Sequence, residues 1–317
     1  MKRSHVLSAA VTIASLVAFT FVSIAATAPS GRTCPATDRA VEAFIAAVRQ
    51  GDTKTLVSIF GKGSERVFET GDAAADKTLR EAFLKLYDAR HTLSTRADGA
   101  TVLVVGPDSW PFPIPLVKTG NQWAWDTAAG IDEIINRRIG RNELETIQTC
   151  LAIGDAQRDY YMQDPDHDAV MQYAKKFLSS PGKKDGLYWP TRPGEKPSPL
   201  GEFAAHATEE GYSASAANPY HGYLYRLLTS QGKSAPGGAY DYMAHGMQIG
   251  GFAIVAYPAV YGDTGIMTFM TSHSGVVYQK DLGNETATLA PKITSFDPGP
   301  GWTKVPPKDL QPFTPVD

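Results

Sequence analysis

The sequence predicts an α+β protein of two domains, each built from helices packed on an antiparallel sheet. Helical patterns of apolar residues come before short β-type runs twice along the chain, first within residues 34–128 and again within residues 129–302. About 290 residues remain once an N-terminal leader is set aside, and a chain of that length usually divides into more than one core. The repeated pattern and the length together favour two domains.

The N-terminus has the pattern of a secretory signal peptide. Lys2 and Arg3 form a basic start, an uncharged and mostly apolar run extends to Ala26, and small residues end it. We expect cleavage after Ala25, which makes residues 1–25 the signal peptide and exports the mature chain to the periplasm or the cell exterior. An uncleaved anchor is the alternative, because about twenty apolar residues can span a bilayer.

Three helices open the first predicted domain, and short strands follow them. Apolar residues at helical spacing indicate helices over residues 41–48, 53–60 and 79–87. β-type runs separated by Gly and Pro indicate strands over residues 93–95, 101–105, 114–118 and 122–125. Helices on one face of a small curved antiparallel sheet resemble the cone-shaped folds of the nuclear-transport-factor and cystatin type, in topology alone.

A long amphipathic helix dominates the second predicted domain. Asn142, with Glu145 three residues later, has the form of an N-cap with a capping-box partner, and the helix should reach about Met162. Its apolar stripe should cover a sheet, with Gly154 allowing a close approach. The expected neighbouring antiparallel strands of that sheet are residues 251–257, 265–271 and 276–280.

The remaining second-domain elements are a helix candidate over residues 170–178 and a strand over residues 223–228. A loop rich in Pro and Gly separates them. After residue 302 the chain is predicted to be an extended Pro-rich tail, residues 303–317.

Charge and hydropathy argue against two classes of partner. The chain has 30 basic and 33 acidic residues, a net charge of −3, and loss of Lys2 and Arg3 leaves 28 against 33, a net charge of −5. Because no Lys/Arg run stands out, we expect no nucleic-acid partner. No later segment is long and apolar enough to cross a bilayer, so the mature chain should have no membrane span.

Cys34 and Cys150 are the two cysteines of the chain. In an oxidising compartment such a pair suggests one disulfide. The alternative is two unrelated thiols, one near the mature N-terminus and one buried on a helix. The sequence leaves both open.

Aromatic residues are frequent in the second half, and Tyr188-Trp189 stands in a loop rich in Pro and Gly. Tyr and Trp are favoured at recognition surfaces because they combine apolar area with a hydrogen-bonding tip. We therefore interpret Tyr188 and Trp189 as a candidate binding surface. The alternative is that they are ordinary members of the core.

Two segments resemble parts of known catalytic motifs, but both lack a required residue. The segment from Gly232 to Ser234 imitates the end of a phosphate-binding loop, but Leu227 stands where its first Gly is required. Ser215 replaces the closing Gly of a nucleophile elbow that would begin at Gly211. No catalytic residue is assigned and no organic cofactor is expected, although a Ser-His-Asp site assembled from distant positions is recognised only by geometry.

A set of motifs in the second half carries a family resemblance. The motifs are RIGRNE at 138–143, SPGKKDGLYWP at 180–190, GGAYDY at 237–242, GGFA at 250–253 and GIMTF at 265–269. Together they resemble bacterial family number 2950 of the domains of unknown function, from about residue 36 to residue 302. The resemblance implies an exported bacterial protein and assigns no activity.

Three acidic residues directly after the long helix form a candidate calcium site. Asp164, Asp166 and Asp168 stand at i, i+2 and i+4, a spacing whose carboxylates can surround Ca²⁺. The family resemblance implies Gly after the third acid and Glu three residues later, and this chain has Ala169 and Gln172 instead. Calcium is therefore the one metal the sequence suggests, and a solvated acidic helix cap is the alternative.

The order of long helix, Tyr-rich loop and closing strands also resembles the head domain of some type IV pilins. The apolar segment that anchors and polymerises pilins has no counterpart here, because residues 131–141 are charged. We therefore expect an exported, non-enzymatic binding or assembly module, with an envelope protein or a surface ligand as its partner. The alternatives are a hydrolase with a pocket at the domain junction and a small-ligand carrier that uses the first domain's cone.

Overall fold

A computed structural model describes residues 29–165, 170–210, 212 and 218–311. The predicted signal peptide and the last six residues of the predicted tail lie outside them. Within them the predicted α+β class is confirmed, with N-terminal helices followed by antiparallel sheets. No helix of this part of the chain is long and apolar enough to cross a membrane.

Helices precede the strands in the first half of the described chain, as predicted. The helices are α1 (Thr37–Gln50), α2 (Thr53–Phe60), α3 (Glu65–Phe68) and α4 (Ala73–Ala89). The strands are β1 (His91–Thr95), β2 (Thr101–Val105), β3 (Trp110–Pro111), β4 (Leu116–Thr119) and β5 (Gln122–Trp125). They pair antiparallel in the order β1-β2-β4-β5, with β3 beside β2. The helix α3 and the strand β3 were not predicted, because both are too short to show a period.

Aromatic side chains fill the core of this half. Phe44 of α1 lies edge-on to Phe60 of α2, with ring centroids 5.0 Å apart. Both rings also contact Phe112 and Trp125 from the sheet side. Such clusters contribute more than their buried area alone, because edge-to-face geometry is electrostatically favourable. This core sets the position of α1 and α2 on the sheet.

One long helix and a five-stranded sheet form the second half. The helices are α5 (Ile131–Gln163), α6 (Gly201–Glu209) and α7 (Thr286–Leu289). The strands are β6 (Tyr223–Leu228), β7 (Ser230–Gln231), β8 (Tyr240–Asp241), β9 (Met243–Ala244), β10 (Met247–Gln248), β11 (Ala253–Pro258), β12 (Met267–Ser272), β13 (Tyr278–Asp281) and β14 (Thr303–Lys304). Short 3-10 helices cover Thr127–Ala129, Gly283–Glu285, Ala290–Lys292 and Pro307–Leu310.

The main sheet has the order β14-β13-β12-β11-β6, and each neighbouring pair is antiparallel. The three strands predicted as consecutive neighbours are therefore confirmed as β11, β12 and β13. Ile147 and Cys150 of α5 share a core with Ile254 of β11 and Phe269 of β12. The apolar stripe of α5 covers this sheet, as its period indicates.

The predicted helix start at Asn142 is wrong, because α5 begins at Ile131 and continues through that residue without a break. Asn142 is buried inside the helix, and its side-chain amide donates to the carbonyl of Thr264 at 2.9 Å. The next residue, Glu143, accepts from the amides of Ile266 and Met267 at 2.9 Å each. These polar residues bind the loop before β12 rather than cap a helix terminus.

The predicted helix over residues 170–178 is also wrong, since the chain there is irregular. Its backbone groups bond to other segments instead of to one another. The amide of Tyr173 donates to the carbonyl of Gln248 at 2.8 Å, and the carbonyl of Phe177 accepts from the amide of Tyr188 at 2.8 Å. Tertiary hydrogen bonds therefore replace the local ladder that the apolar spacing suggested.

Gly154 does not serve a close approach of α5 to the sheet, because a Cβ atom built there meets nothing within 4 Å. Gly154→Ala should therefore raise the free energy of unfolding by about 0.5–1 kcal/mol, since glycine is costly inside a helix. Urea unfolding followed by circular dichroism measures this. Gly130→Ala is the matched control and should destabilise, because its Cβ would lie 2.4 Å from the carbonyl oxygen of Pro113. A destabilised Gly154→Ala protein would restore the close-approach interpretation.

Candidate functional site

A cavity of about 220 Å³ lies in the first half of the protein, and we call it the cone cavity. Five aromatic side chains contribute to its wall: Phe44, Phe68, Phe83, Trp110 and Phe112. They come from two long helices, the short helix α3 and the sheet, so the wall depends on the packing of the whole half. A concave, mostly apolar surface with a few polar groups is the usual form of a small-ligand site.

The first turns of α5 bring charged residues to this cavity. Ile134, Arg137, Arg138 and Arg141 stand at i, i+3, i+4 and i+7, so they share one face of the helix, and all four line the cavity. The sequence predicts a helical join between the domains over residues 129–140 and shows that it is charged, and the structure places this join in the first turns of α5. The helical spacing was readable, but the surface that this face meets was not.

Arg138 is the buried member of this stripe, with 7 % of its surface exposed. Its Nη1 and Nη2 donate to the carbonyls of Arg66 and Val67, in and beside α3, at 2.7 and 2.9 Å. Its Nε–H is buried and has no acceptor among the described residues. Burial lowers the pKa of the Arg138 guanidinium, while the Asp76 carboxylate acts in the opposite direction.

Two other charges at the cavity are matched locally. The carboxylate of Asp76 accepts from the backbone amide of Thr70 at 3.1 Å and from its hydroxyl at 2.8 Å. Burial raises the pKa of Asp76 against the effect of these bonds. Arg137 pairs with Glu133 at 2.6 Å and lies over the Trp110 ring, 5.4 Å from its centroid. The Asp76 carboxylate and the Arg137 guanidinium therefore both have partners among neighbouring side chains.

A second cavity, of about 140 Å³, lies in the other half beside α6. Its wall includes Tyr188, Phe203, Tyr220 and Tyr225. The Tyr225 hydroxyl lies 3.2 Å from the Thr146 hydroxyl, and the Tyr220 hydroxyl donates to Glu210 at 3.2 Å. Those two phenols are therefore already engaged within the protein.

The junction of the two halves contains a buried carboxylate. Asp72 caps α4 by accepting from the amide of Ala75 at 3.0 Å. Its other oxygen accepts from the Tyr212 hydroxyl at 2.9 Å and from the amide of Gly222 at 3.1 Å, both in the second half. This side chain connects the two halves directly.

A histidine and an acid also lie at this junction. His221 Nε2 is 3.7 Å from Glu210 Oε2, and burial lowers the pKa of His221 while Glu210 acts in the opposite direction. The hydroxyls that reach the acids here are phenols. Burial, reinforced by Asp72 and Glu210 respectively, raises the pKa of Tyr212 and of Tyr220. These phenols therefore stay protonated and act as hydrogen-bond donors.

The two residues of the predicted binding pair, Tyr188 and Trp189, have different environments in the structure. Trp189 is 6 % exposed and belongs to the second core, where it lies edge-on to Tyr160. For Trp189 the core alternative describes the structure, because its ring packs under α5. Tyr188 is half-buried and lines the second cavity, so only this residue faces a space that a ligand could enter.

The predicted calcium site falls partly outside the described residues. Asp164 ends α5 in a left-handed backbone conformation, with φ 41°. Gln172 is described, whereas Asp166 and Asp168 are not. In the described part of the chain no three His, Cys, Asp or Glu side chains are grouped to hold a metal ion. Calcium binding at these residues stays a prediction.

Cys34 and Cys150 are both free thiols in the structure, so the alternative of two unrelated thiols describes it. Cys34 pairs its backbone with Trp123 and packs on the first core. Cys150 is fully buried in the second core, and burial raises its pKa to about 12. The two side chains belong to different cores, which separates them.

Thiol titration should therefore count one reactive cysteine in the native protein and two in denaturant. Cys34 is half-exposed, while the buried Cys150 has neither access to reagent nor thiolate character. Cys34→Ser should leave no reactive thiol until the protein unfolds. A disulfide would instead give none in denaturant without a reductant.

Comparison with known proteins assigns the chain to one family. The chain matches the family described as "Protein of unknown function (DUF2950)" over residues 32–305, and it is a member of that family. No curated protein matches the chain. No solved structure matches it either, so the resemblance of the second half to pilin heads is not confirmed.

Proposed function

We propose that this protein is an exported binding protein that holds a small, largely apolar ligand in the cone cavity. One observation carries the proposal, a void of about 220 Å³ among aromatic rings in the first half. The cavity is partly open to solvent, because Leu79 and Arg141 in its wall are exposed, so a ligand can enter it and take apolar surface out of water. A ligand that fills the space supplies the missing contacts.

The size of the cavity suggests the size of the ligand. An engineered apolar cavity of roughly 150 Å³ binds benzene, and the cone cavity is about half as large again. A fused two-ring system, or an aliphatic chain of similar volume, fits that space. The predicted signal peptide over residues 1–25 supports a role outside the cytoplasm, and the N-terminus of the mature protein, read by mass spectrometry, tests that part.

Calorimetric titration with naphthalene-2-carboxamide, a neutral two-ring probe, tests the binding function. Saturable binding at one site per chain is expected. Val48→Phe should weaken binding at least tenfold, because Val48 is buried on α1 and lines the cavity, so a larger ring there occupies the probe's space. Cavity-filling substitutions commonly preserve folding.

The matched control is Ala204→Phe, which fills the second cavity in the same way. This variant should bind the probe as the unsubstituted protein does. If Ala204→Phe abolished binding and Val48→Phe did not, the ligand site would be the second cavity and the proposal would be wrong. If neither this probe nor its carboxylate analogue, 2-naphthoate, bound the unsubstituted protein saturably, the proposal would also be refuted.

A further inference from the structure

The charged groups at the cone cavity do not balance. Four arginines line it, namely Arg80, Arg137, Arg138 and Arg141, and Asp76 is its one acidic lining residue. Asp76 is already bonded to Thr70, and Arg137 is already paired with Glu133. Glu133 neutralises Arg137 and Asp76 offsets one further charge, so the group of Arg80, Arg138 and Arg141 keeps an excess of two positive charges.

Of these three arginines, Arg138 is the buried one, so its charge has the greatest need of a partner. Its two hydrogen bonds end on neutral backbone carbonyls, and the described residues form no ion pair with it. Asp76 acts on Arg138 electrostatically but forms no ion pair with it, so the buried charge is only partly compensated, and the buried N–H without an acceptor costs about 1–3 kcal/mol. Nη1 and Nη2 each keep a second N–H after these bonds, and an anionic acceptor in the cavity that Arg138 lines would bind there and supply a contacting counterion.

The other two arginines surround this buried one. Arg141 is one turn further along α5 and exposed, and Arg80 lines the cavity from α4. Neither makes a hydrogen bond or ion pair to another side chain in the described ranges. Positive groups around a cleft raise the local concentration of anions and speed their entry.

We propose that the ligand of the cone cavity is an amphiphilic carboxylate, with its carboxylate on Arg138 and its rings or short chain among the aromatic side chains. This inference rests on the proposed function and names the class of ligand for the same site. Guanidinium and carboxylate match in charge and in planar geometry.

The test compares 2-naphthoate with naphthalene-2-carboxamide, which has the same shape without the charge. The unsubstituted protein should bind the carboxylate about 10- to 100-fold more tightly, the range expected for one charge-assisted hydrogen-bonded contact. Added salt should reduce this preference, because Arg141 is exposed to solvent. These measurements require no variant, so they decide the matter even if a substitution prevents folding.

Two substitutions locate the contact. Arg138→Met removes the charge and the N–H donors while keeping an unbranched apolar stem, and it should remove the preference of the folded protein for the carboxylate over the amide. Arg39→Met is the control, because Arg39 lies on the surface of α1, pairs with Glu42 and does not line the cavity. It should leave the preference unchanged.

The outcomes separate the two proposals. Equal binding of both probes, or tighter binding of the amide, overturns the carboxylate and leaves the binding function standing. Binding of neither probe overturns both. A preference for naphthoate that survives in a folded Arg138→Met protein overturns the assignment of Arg138.

Discussion

Replacing Asp72 with alanine should lower the free energy of unfolding by about 3–4 kcal/mol. The carboxylate is 4 % exposed and accepts hydrogen bonds from Ala75, Tyr212 and Gly222. Its removal takes away the N-cap of α4 and leaves the Tyr212 hydroxyl and the Gly222 amide without that acceptor. Urea unfolding at neutral pH, followed by circular dichroism, measures the change.

Asp52→Ala provides the matched control for this prediction. Asp52 also caps a helix, α2, but the bonds that its carboxylate accepts among the described residues come from the first turn of that helix, from the amide and hydroxyl of Thr55. Asp52→Ala should lower the free energy of unfolding by only a fraction of the loss expected for Asp72→Ala. Equal losses in the two variants would mean that the bonds from Asp72 to the second half contribute nothing.

The junction formed by Asp72 also bears on the proposed binding function. The helix that it caps, α4, contributes Leu79, Arg80 and Phe83 to the wall of the cone cavity. Loosening the start of this helix should therefore weaken binding of the naphthyl probes as well as stability. The second half thus helps to hold in place one wall of a site that lies in the first.

Gln157→Ala should lower the free energy of unfolding by about 3 kcal/mol. This side chain of α5 is completely buried, and its amide donates to the carbonyl of Ala174 and accepts from the Ala174 amide, at 2.9 Å each. It thereby replaces the hydrogen bonds that a strand neighbour would supply to the irregular segment. Without it, a buried N–H and a buried C=O lose these bonds together, and the Ala174 amide should exchange hydrogen faster.

Gln148→Ala is the control on the same helix. The Gln148 amide also donates to a backbone carbonyl, that of Gln311 at 3.1 Å, but this bond is exposed to solvent. Its loss should stay within about 0.5 kcal/mol, since water replaces the partner. A Gln157→Ala protein as stable as Gln148→Ala would show that other contacts hold residues 170–178.

Much of the candidate site was out of reach of the sequence analysis. The helical spacing of Arg137, Arg138 and Arg141 can be recognised in the sequence, but this spacing does not show that they line the cone cavity. For Trp189 the local sequence was misleading. Its loop is rich in Pro and Gly and suggested an exposed ring, whereas in the structure the ring packs against Tyr160 and is buried. Both outcomes depend on residues distant along the chain.

The sequence by itself determined the class of fold, the family, and the order of helices and strands in the first half. It also determined the three central strands of the second sheet. These follow from local periods of 3.6 and 2, which express which face of each element must be buried. Only the tertiary structure decided that α5 continues through Asn142 and that residues 170–178 form no helix. Partners such as the Thr264 carbonyl and Gln157 lie elsewhere in the chain, and a hydrogen bond to a distant partner leaves no period in the sequence.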